Sequence, residues 1–194
     1  MSLSTKIETT KVCHTLLHNP NFFLLLIPMD VDVANQMRGA VCPHCGEGVL
    51  HQANYPRKPK GCPREMLDDY RFRWSFCCSQ CRRRCTPASV RFLGRRVYVA
   101  LAVVLLPQRR KVLSRAAIEF CDQLDVPART IARWRQWWLR RFPFTTLWQA
   151  QCARFMPPIQ TTELPTSLIE RFTDTADVAM MRLLRFLSPL SVPT

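Results

Sequence analysis

The sequence predicts an α+β chain: a small four-cysteine β segment, then a helix-turn-helix, then a helical C-terminal segment. Three observations carry this. Two Cys-x2-Cys knuckles, Cys42/Cys45 and Cys78/Cys81, bracket a stretch with strand-like alternation. From residue 94 onward the apolar spacing is helical and is punctuated by prolines. All of the excess positive charge lies in the central residues 57–141, which run through the first two parts. Of 194 residues, 28 are Lys or Arg and 14 are Asp or Glu, for a net of +14. Residues 57–141 hold 21 basic and 6 acidic side chains, a net of +15, while residues 1–56 carry −1 and residues 142–194 carry zero.

A basic block of that density repels itself unless a polyanion neutralises it. Of the 28 cations 23 are Arg, the side chain suited to hold phosphate or guanine with two hydrogen bonds. Nucleic acid is therefore the expected partner. A merely solubilising basic surface would spread its charge along the whole chain. The composition excludes an acidic disordered chain and a collagen-like one. The longest apolar runs, residues 22–28 and 97–106, are shorter than the about 20 residues of a membrane span. Residues 1–12 lack a signal-peptide pattern. The expectation is a cytoplasmic protein with neither a membrane partner nor a small-molecule substrate.

Four segments follow in order. Residues 1–40 form an N-terminal packing segment with no recognisable chemistry. Residues 10–18 suit a short helix, Asn19-Pro20 a break, and residues 22–27 a buried strand or a helix turn ending at Pro28. Residues 41–93 form the cysteine-rich segment. Within it residues 56–63 read as a turn, and residues 71–76 alternate polar with aromatic, as a strand with one buried face does. Residues 94–143 read as helices over 97–106, 115–124 (with Ser114 as N-cap) and 128–142. Residues 144–194 read as helices over 145–155, 164–172 and 175–187. Pro165 suits a first turn, Asp174 a cap, and Val178, Met181, Leu184 and Leu187 a drifting apolar stripe.

Ten cysteines in a chain without a secretion pattern point to metal rather than disulfides. Each Cys-x2-Cys knuckle lets two thiolates reach one ion from a tight turn, and two knuckles complete a tetrahedral four-thiolate site, which zinc prefers. Here 32 residues separate the knuckles, and Gly46 suits the tight backbone after the first. Cys42, Cys45, Cys78 and Cys81 are the expected ligands of one structural zinc with no open position for catalysis. The spacing also allows the pairs Cys77/Cys81 and Cys81/Cys85. Cys77 favours packing, since it continues the strand of Phe72, Trp74 and Phe76, and Cys62 reads as a loop thiol. His44 is expected to point outward and His51 to be a strand residue. Cys13, Cys121 and Cys152 read as inert core cysteines.

Residues 114–141 have a helix-turn-helix pattern. Ala116, Ala117, Phe120 and Leu124 give the first helix a packing face, and Val126 is buried in the turn. On the second helix Ile131, Trp134, Trp138 and Phe142 face the core, and Arg129, Arg133, Gln136 and Arg140 fall on the opposite side. An aromatic back with an Arg/Gln front is what insertion into a DNA major groove requires. A solvated amphipathic helix is the bland alternative. Arg129, Arg133 and Gln136 are the expected base-reading residues. Arg82, Arg83, Arg84, Arg95, Arg96, Arg109, Arg110, Lys111, Arg140 and Arg141 are the expected phosphate contacts.

The order of parts resembles the N-terminal DNA-binding half of bacterial insertion-sequence transposases of the zinc-ribbon type. The matching pieces are Cys42-Pro43-His44-Cys45-Gly46, Tyr55-Pro56-Arg57, Phe76-Cys77-Cys78-Ser79-Gln80-Cys81-Arg82-Arg83-Arg84 with Thr86-Pro87, and Thr130-Ile131-Ala132-Arg133-Trp134. The resemblance covers roughly residues 40–142 and implies that ribbon and helical element together bind the ends of the mobile element's DNA. It does not extend to the family's ribonuclease-H-like domain. The 53 residues from 142 to 194 are too few for it, and their acids Glu163, Glu170, Asp174 and Asp177 read as caps and surface charges.

The expected function is sequence-specific binding of double-stranded DNA as a non-catalytic, transposase-like accessory of a mobile element, bound to the nucleoid of a bacterium. The C-terminal helix, with Met180, Met181, Leu183, Leu184, Phe186 and Leu187, is more apolar than one helix face can hide, and is expected to dock on the core, on a second copy, or on a recombinase or transposase protein. A transcription regulator with the same parts is one alternative, separable by gene neighbourhood. A structured-RNA-binding or protein-assembly module is another, separable by competition between duplex DNA and RNA.

Overall fold

The computed structural model describes residues 15–93, 98–108 and 121–192, with the backbone alone at Tyr55. Arg95, Arg96, Arg109, Arg110 and Lys111 lie outside the described residues, as do Cys13 and most of the two helices expected over 10–18 and 115–124. The chain is α+β, with a small antiparallel sheet beside a helical body.

Helix α1 spans Pro20–Gly39 and corrects the expectation of a break followed by a short buried run. Asn19 starts the helix: its side chain accepts the Asn21 N–H at 3.1 Å, and Pro20 stands in the first turn. The helix runs through Pro28. An interior proline costs about 3 kcal/mol by removing one backbone hydrogen bond and crowding a carbonyl. Burial of Phe22, Phe23 and Leu26 before it and Ala34 after it offsets that cost. Leu24, whose carbonyl loses its helical partner to the proline, is 45 % exposed.

Five short strands follow. Strand β1 (Leu50–Gln52) pairs antiparallel with β4 (Phe76–Cys78), which pairs with β5 (Arg84–Cys85); β2 (Tyr55–Pro56) pairs with β3 (Phe72–Arg73). Between the hairpin strands lies the short helix α2 (Leu67–Tyr70). The strand expected over 71–76 is thus two strands in two sheets, and its first half is inverted. Phe72 is 39 % exposed and Arg73 is 5 % exposed. Arg73 turns inward because its guanidinium donates to the Ser191 carbonyl near the C-terminus. Alternation cannot show this, since the partner lies more than a hundred residues away.

Helix α3 (Ala100–Leu105) is buried on all sides, as a helix apolar all round must be. Against it packs α4 (Ala128–Arg140), where Trp138 Nε1 donates to the Val103 carbonyl at 2.9 Å. The chain then runs through α5 (Thr146–Gln151), α6 (Thr166–Ile169) and α7 (Ala176–Leu187). On α7 the buried residues are Met180, Leu183, Leu184 and Leu187, and Val178 and Met181 are half-buried. The expected stripe is buried in part: Leu184 and Leu187 lie in the core, and the earlier members stand toward its edge because three residues turn the helix by about 300°, so each step drifts about 60° off the face. These apolar side chains pack in or against the chain's own core, one of the places expected for them. Asp174 accepts the Thr175 N–H at 2.7 Å and pairs with Arg182 at 3.1 Å.

Side chains from α1, the region around α2, α3, α4, α6 and α7 share one core. Cys62 lies within it at 3 % exposure, not in a loose loop, and burial pushes its thiol up to about 12. A polar knot ties the parts together. Asp30 of α1 accepts from Ser89 Oγ at 2.6 Å, Val90 N–H at 2.7 Å and Arg91 Nε at 2.8 Å. Arg91 also donates to the carbonyls of Asp69 at 3.0 Å and Phe72 at 3.2 Å. Ser191 Oγ accepts the Ser89 N–H at 2.8 Å. Among the described residues no helix is long and apolar enough to cross a membrane.

Candidate functional site

A second, smaller core of Ala34, Cys42, Leu50, Phe76, Cys78 and Cys85 surrounds four sulfur atoms. The sulfurs of Cys42, Cys45, Cys78 and Cys81 all lie within 4.8 Å of one another. Cys42 and Cys81 are 3.7 Å apart, and Cys45 and Cys78 are 3.6 Å apart. Four thiolates at about 2.3 Å from a tetrahedral ion stand about 3.8 Å from each other. The four cysteines therefore stand close enough together to hold one metal ion.

The turns that present them are set by the sequence. In the first knuckle the Gly46 N–H donates to the Cys42 carbonyl at 2.8 Å, and Gly46 takes φ +77°, where a side chain is strained. In the second, Arg82 holds the equivalent place after Cys81 with φ 58°. Strand pairing joins the knuckles, with Leu50 opposite Cys78. Gly48, which sequence reasoning missed, closes the site: a Cβ there would meet Cys78 Sγ at 2.2 Å. The signal available was the second glycine of Cys45-Gly46-Glu47-Gly48.

Backbone N–H groups point at the sulfurs: His44 to Cys42 at 3.4 Å, Gly48 to Cys45 at 3.5 Å and Gln80 to Cys78 at 3.4 Å. The N–H groups of Glu47 and Gly48 bring the Cys45 thiol down to about 6. Burial acts to raise the Cys42 thiol, but the N–H groups of His44 and Cys45 and the neighbouring sulfurs outweigh it and lower it. The Arg83 N–H favours the Cys81 thiolate, yet burial and the three other sulfurs push that thiol up to about 12. Four thiolates at these separations need a cation among them.

Comparison of the chain with protein-family models, with curated proteins and with solved structures finds no match.

The other cysteines separate by position. Cys77 stands on the face of β4 opposite Phe76 and Cys78, half-buried, with Sγ 3.4 Å from the Arg82 carbonyl. The expected packing role passes to Phe76 and Cys78, because alternation along the strand sends Cys77 outward. Cys85 is buried beside the four sulfurs, and burial raises its thiol to about 11. His44 and His51 are exposed, Cys121 is buried and Cys152 is half-buried.

The second group of candidate residues lies on α4. Thr130, Ile131, Trp134 and Trp138 are buried, and Phe142 just beyond is fully buried. Arg129, Arg133, Gln136 and Arg140 are exposed on the opposite side, and Arg141 is exposed after them. Arg133 donates to Thr130 Oγ1 at 3.0 Å. Among the described residues no carboxylate pairs with Arg129, Arg133, Arg140 or Arg141. Arg135, which the charge pattern alone would include, turns back and donates to the Pro107 carbonyl at 3.2 Å. Ahead of α4, Val126 is buried, and Asp125, at φ 51°, pairs with Lys60.

In the cysteine segment Arg82 and Arg83 are exposed. Arg84 is exposed too, but its guanidinium is fixed to the sheet, donating to the Ala53 carbonyl at 2.5 Å and to Ser75 Oγ at 2.8 Å.

Proposed function

We propose that this chain is a sequence-specific double-stranded DNA-binding protein of a mobile genetic element, held in shape by one structural zinc ion. It binds DNA and does not cut it. The observation that carries the reading is the α4 face: Arg129, Arg133, Gln136 and Arg140 stand exposed and, among the described residues, without carboxylate partners, directly behind a row of buried aromatics. A rigid helix with uncompensated guanidiniums on its outer side suits entry into a major groove. Arg129 and Arg133, on its first turns, take the base edges with Gln136. Arg140, Arg141, Arg82 and Arg83 take phosphates.

Zinc is favoured over other ions because the donor set is four clustered thiolates, two pairs of them at the separation a tetrahedral ion requires, and its part is to fix the two knuckles relative to each other. With all four positions taken by sulfur, no site for activated water remains at the ion. The cysteine segment and the helix-turn-helix then act as one binding unit, as in the transposase half that the sequence resembles.

The decisive experiment selects bound sites from a randomised duplex pool and then competes the winner against random duplex and structured RNA. An enriched common site, retained over RNA, is expected. Uniform recovery of all sequences, or displacement by RNA at equal concentration, would refute the reading.

A further inference from the structure

Along α4 runs an open groove of about 1500 Å³. The helix and its end contribute Arg133, Gln136, Arg140 and Arg141 to its lining. Apolar surface comes from Trp137 of α4, Leu147 of α5 and the C-terminal turn with Leu190 and Val192. No described lining residue is acidic. Arg129, on the first turn of α4, is not part of it.

The concave form decides what fits. A groove of cations beside apolar and aromatic surface suits a single strand, whose phosphates follow the cations while its bases lie on the apolar side. Three arginines lining one groove without a carboxylate repel each other until an anion enters. An acidic peptide would meet the same charges. Nucleic acid is favoured because these arginines continue the DNA-facing side of α4 and belong to the +15 block of residues 57–141. Resting on the DNA-binding reading above, we propose that the groove holds an unpaired DNA strand, so that the protein grips a duplex together with a single-stranded tail emerging from it.

The test uses the full zinc-loaded chain and fluorescence anisotropy. The probes are a blunt duplex, the same duplex with an unpaired tail of about ten nucleotides, the tail oligonucleotide alone, and an acidic peptide. The tail is expected to tighten duplex binding about tenfold or more, the effect of stacking one base. Val192→Glu and Leu190→Glu place a carboxylate in the groove away from α4, and each should remove that gain while leaving blunt-duplex affinity unchanged. Thr146→Glu, at an exposed lining position, serves if either variant fails to fold by circular dichroism. Binding of the oligonucleotide with no binding of any duplex would uphold the groove and sink the duplex reading. Duplex binding indifferent to the tail, or a tail effect untouched by all three variants, would overturn the groove. Displacement of the tail by the acidic peptide at lower concentration than by the free oligonucleotide would overturn it too, and assign the groove to protein.

Discussion

Gly48 and Cys78 touch: the backbone of one runs so close to the sulfur of the other that a Cβ on Gly48 would stand 2.2 Å from Cys78 Sγ. No side chain of any size fits there, and the Gly48 N–H also donates to Cys45 Sγ at 3.5 Å. Gly48→Ala should therefore act on metal affinity, weakening it on the order of 100-fold, as loss of a group supporting metal ligands does. Gly46→Ala, where a Cβ has open space and only φ is strained, should cost about 1 kcal/mol of stability and keep the metal. Zinc titration against a competing chelator checks both. Equal affinities for the two variants would disprove the distinction.

The ligand set separates Cys77 from Cys78. Cys42→Ser and Cys78→Ser should each abolish stoichiometric zinc and unfold the cysteine segment, because binding energy is folding energy in such small sites. Cys77→Ser should keep both, since its sulfur lies on the outer face of β4. Elemental analysis and circular dichroism read the outcome, and equal damage at 77 and 78 would discard the assignment.

Arg82 occupies a left-handed backbone position that costs a non-glycine residue about 1–2 kcal/mol. Arg82→Gly should raise stability by about 0.5–1 kcal/mol after glycine's own entropy is counted. It should also lower the salt slope of DNA binding by about one unit if this side chain meets a phosphate. Urea unfolding and salt-dependent affinity measure the two effects independently. An unchanged slope would remove Arg82 from the interface.

On α4 the first turns and the last should differ. Arg133→Ala should cost about 1–3 kcal/mol on the preferred site and relax one base position. Arg140→Ala should weaken preferred and random duplexes alike. Parallel affinities at several salt concentrations check this. If Arg129 and Arg133 substitutions weaken both duplexes equally, the helix is an electrostatic clamp and sequence is read elsewhere.

Asp30→Asn leaves Arg91, 3 % exposed, without its counter-charge. Breaking a buried pair from one side costs about 3–5 kcal/mol. The knot joins α1, the segment before α3 and Ser191, so the loss should appear as one cooperative transition at lower urea. A change below about 1 kcal/mol, the worth of a surface pair, would mean that the knot is not holding these parts.

The four clustered cysteines and the two faces of α4 were legible in the sequence. Both rest on spacing along a few neighbouring residues: two intervening residues bring two thiolates to one point, and a turn of about 3.6 residues sorts Ile131, Trp134 and Trp138 from Arg129, Arg133 and Arg140. What was not legible depended on distant partners. Pro28 sits inside a helix because Phe22, Phe23, Leu26 and Ala34 are buried on either side of it. Arg73 points inward because Ser191 offers a carbonyl. Gly48 matters because Cys78 arrives across the sheet. Asp30 looks like an ordinary surface acid until Ser89, Val90 and Arg91 fold around it. Local spacing fixes which side chains share a face, because the covalent chain holds them there. Which face is buried, and which polar group is left inside, is decided by surfaces that only folding brings together.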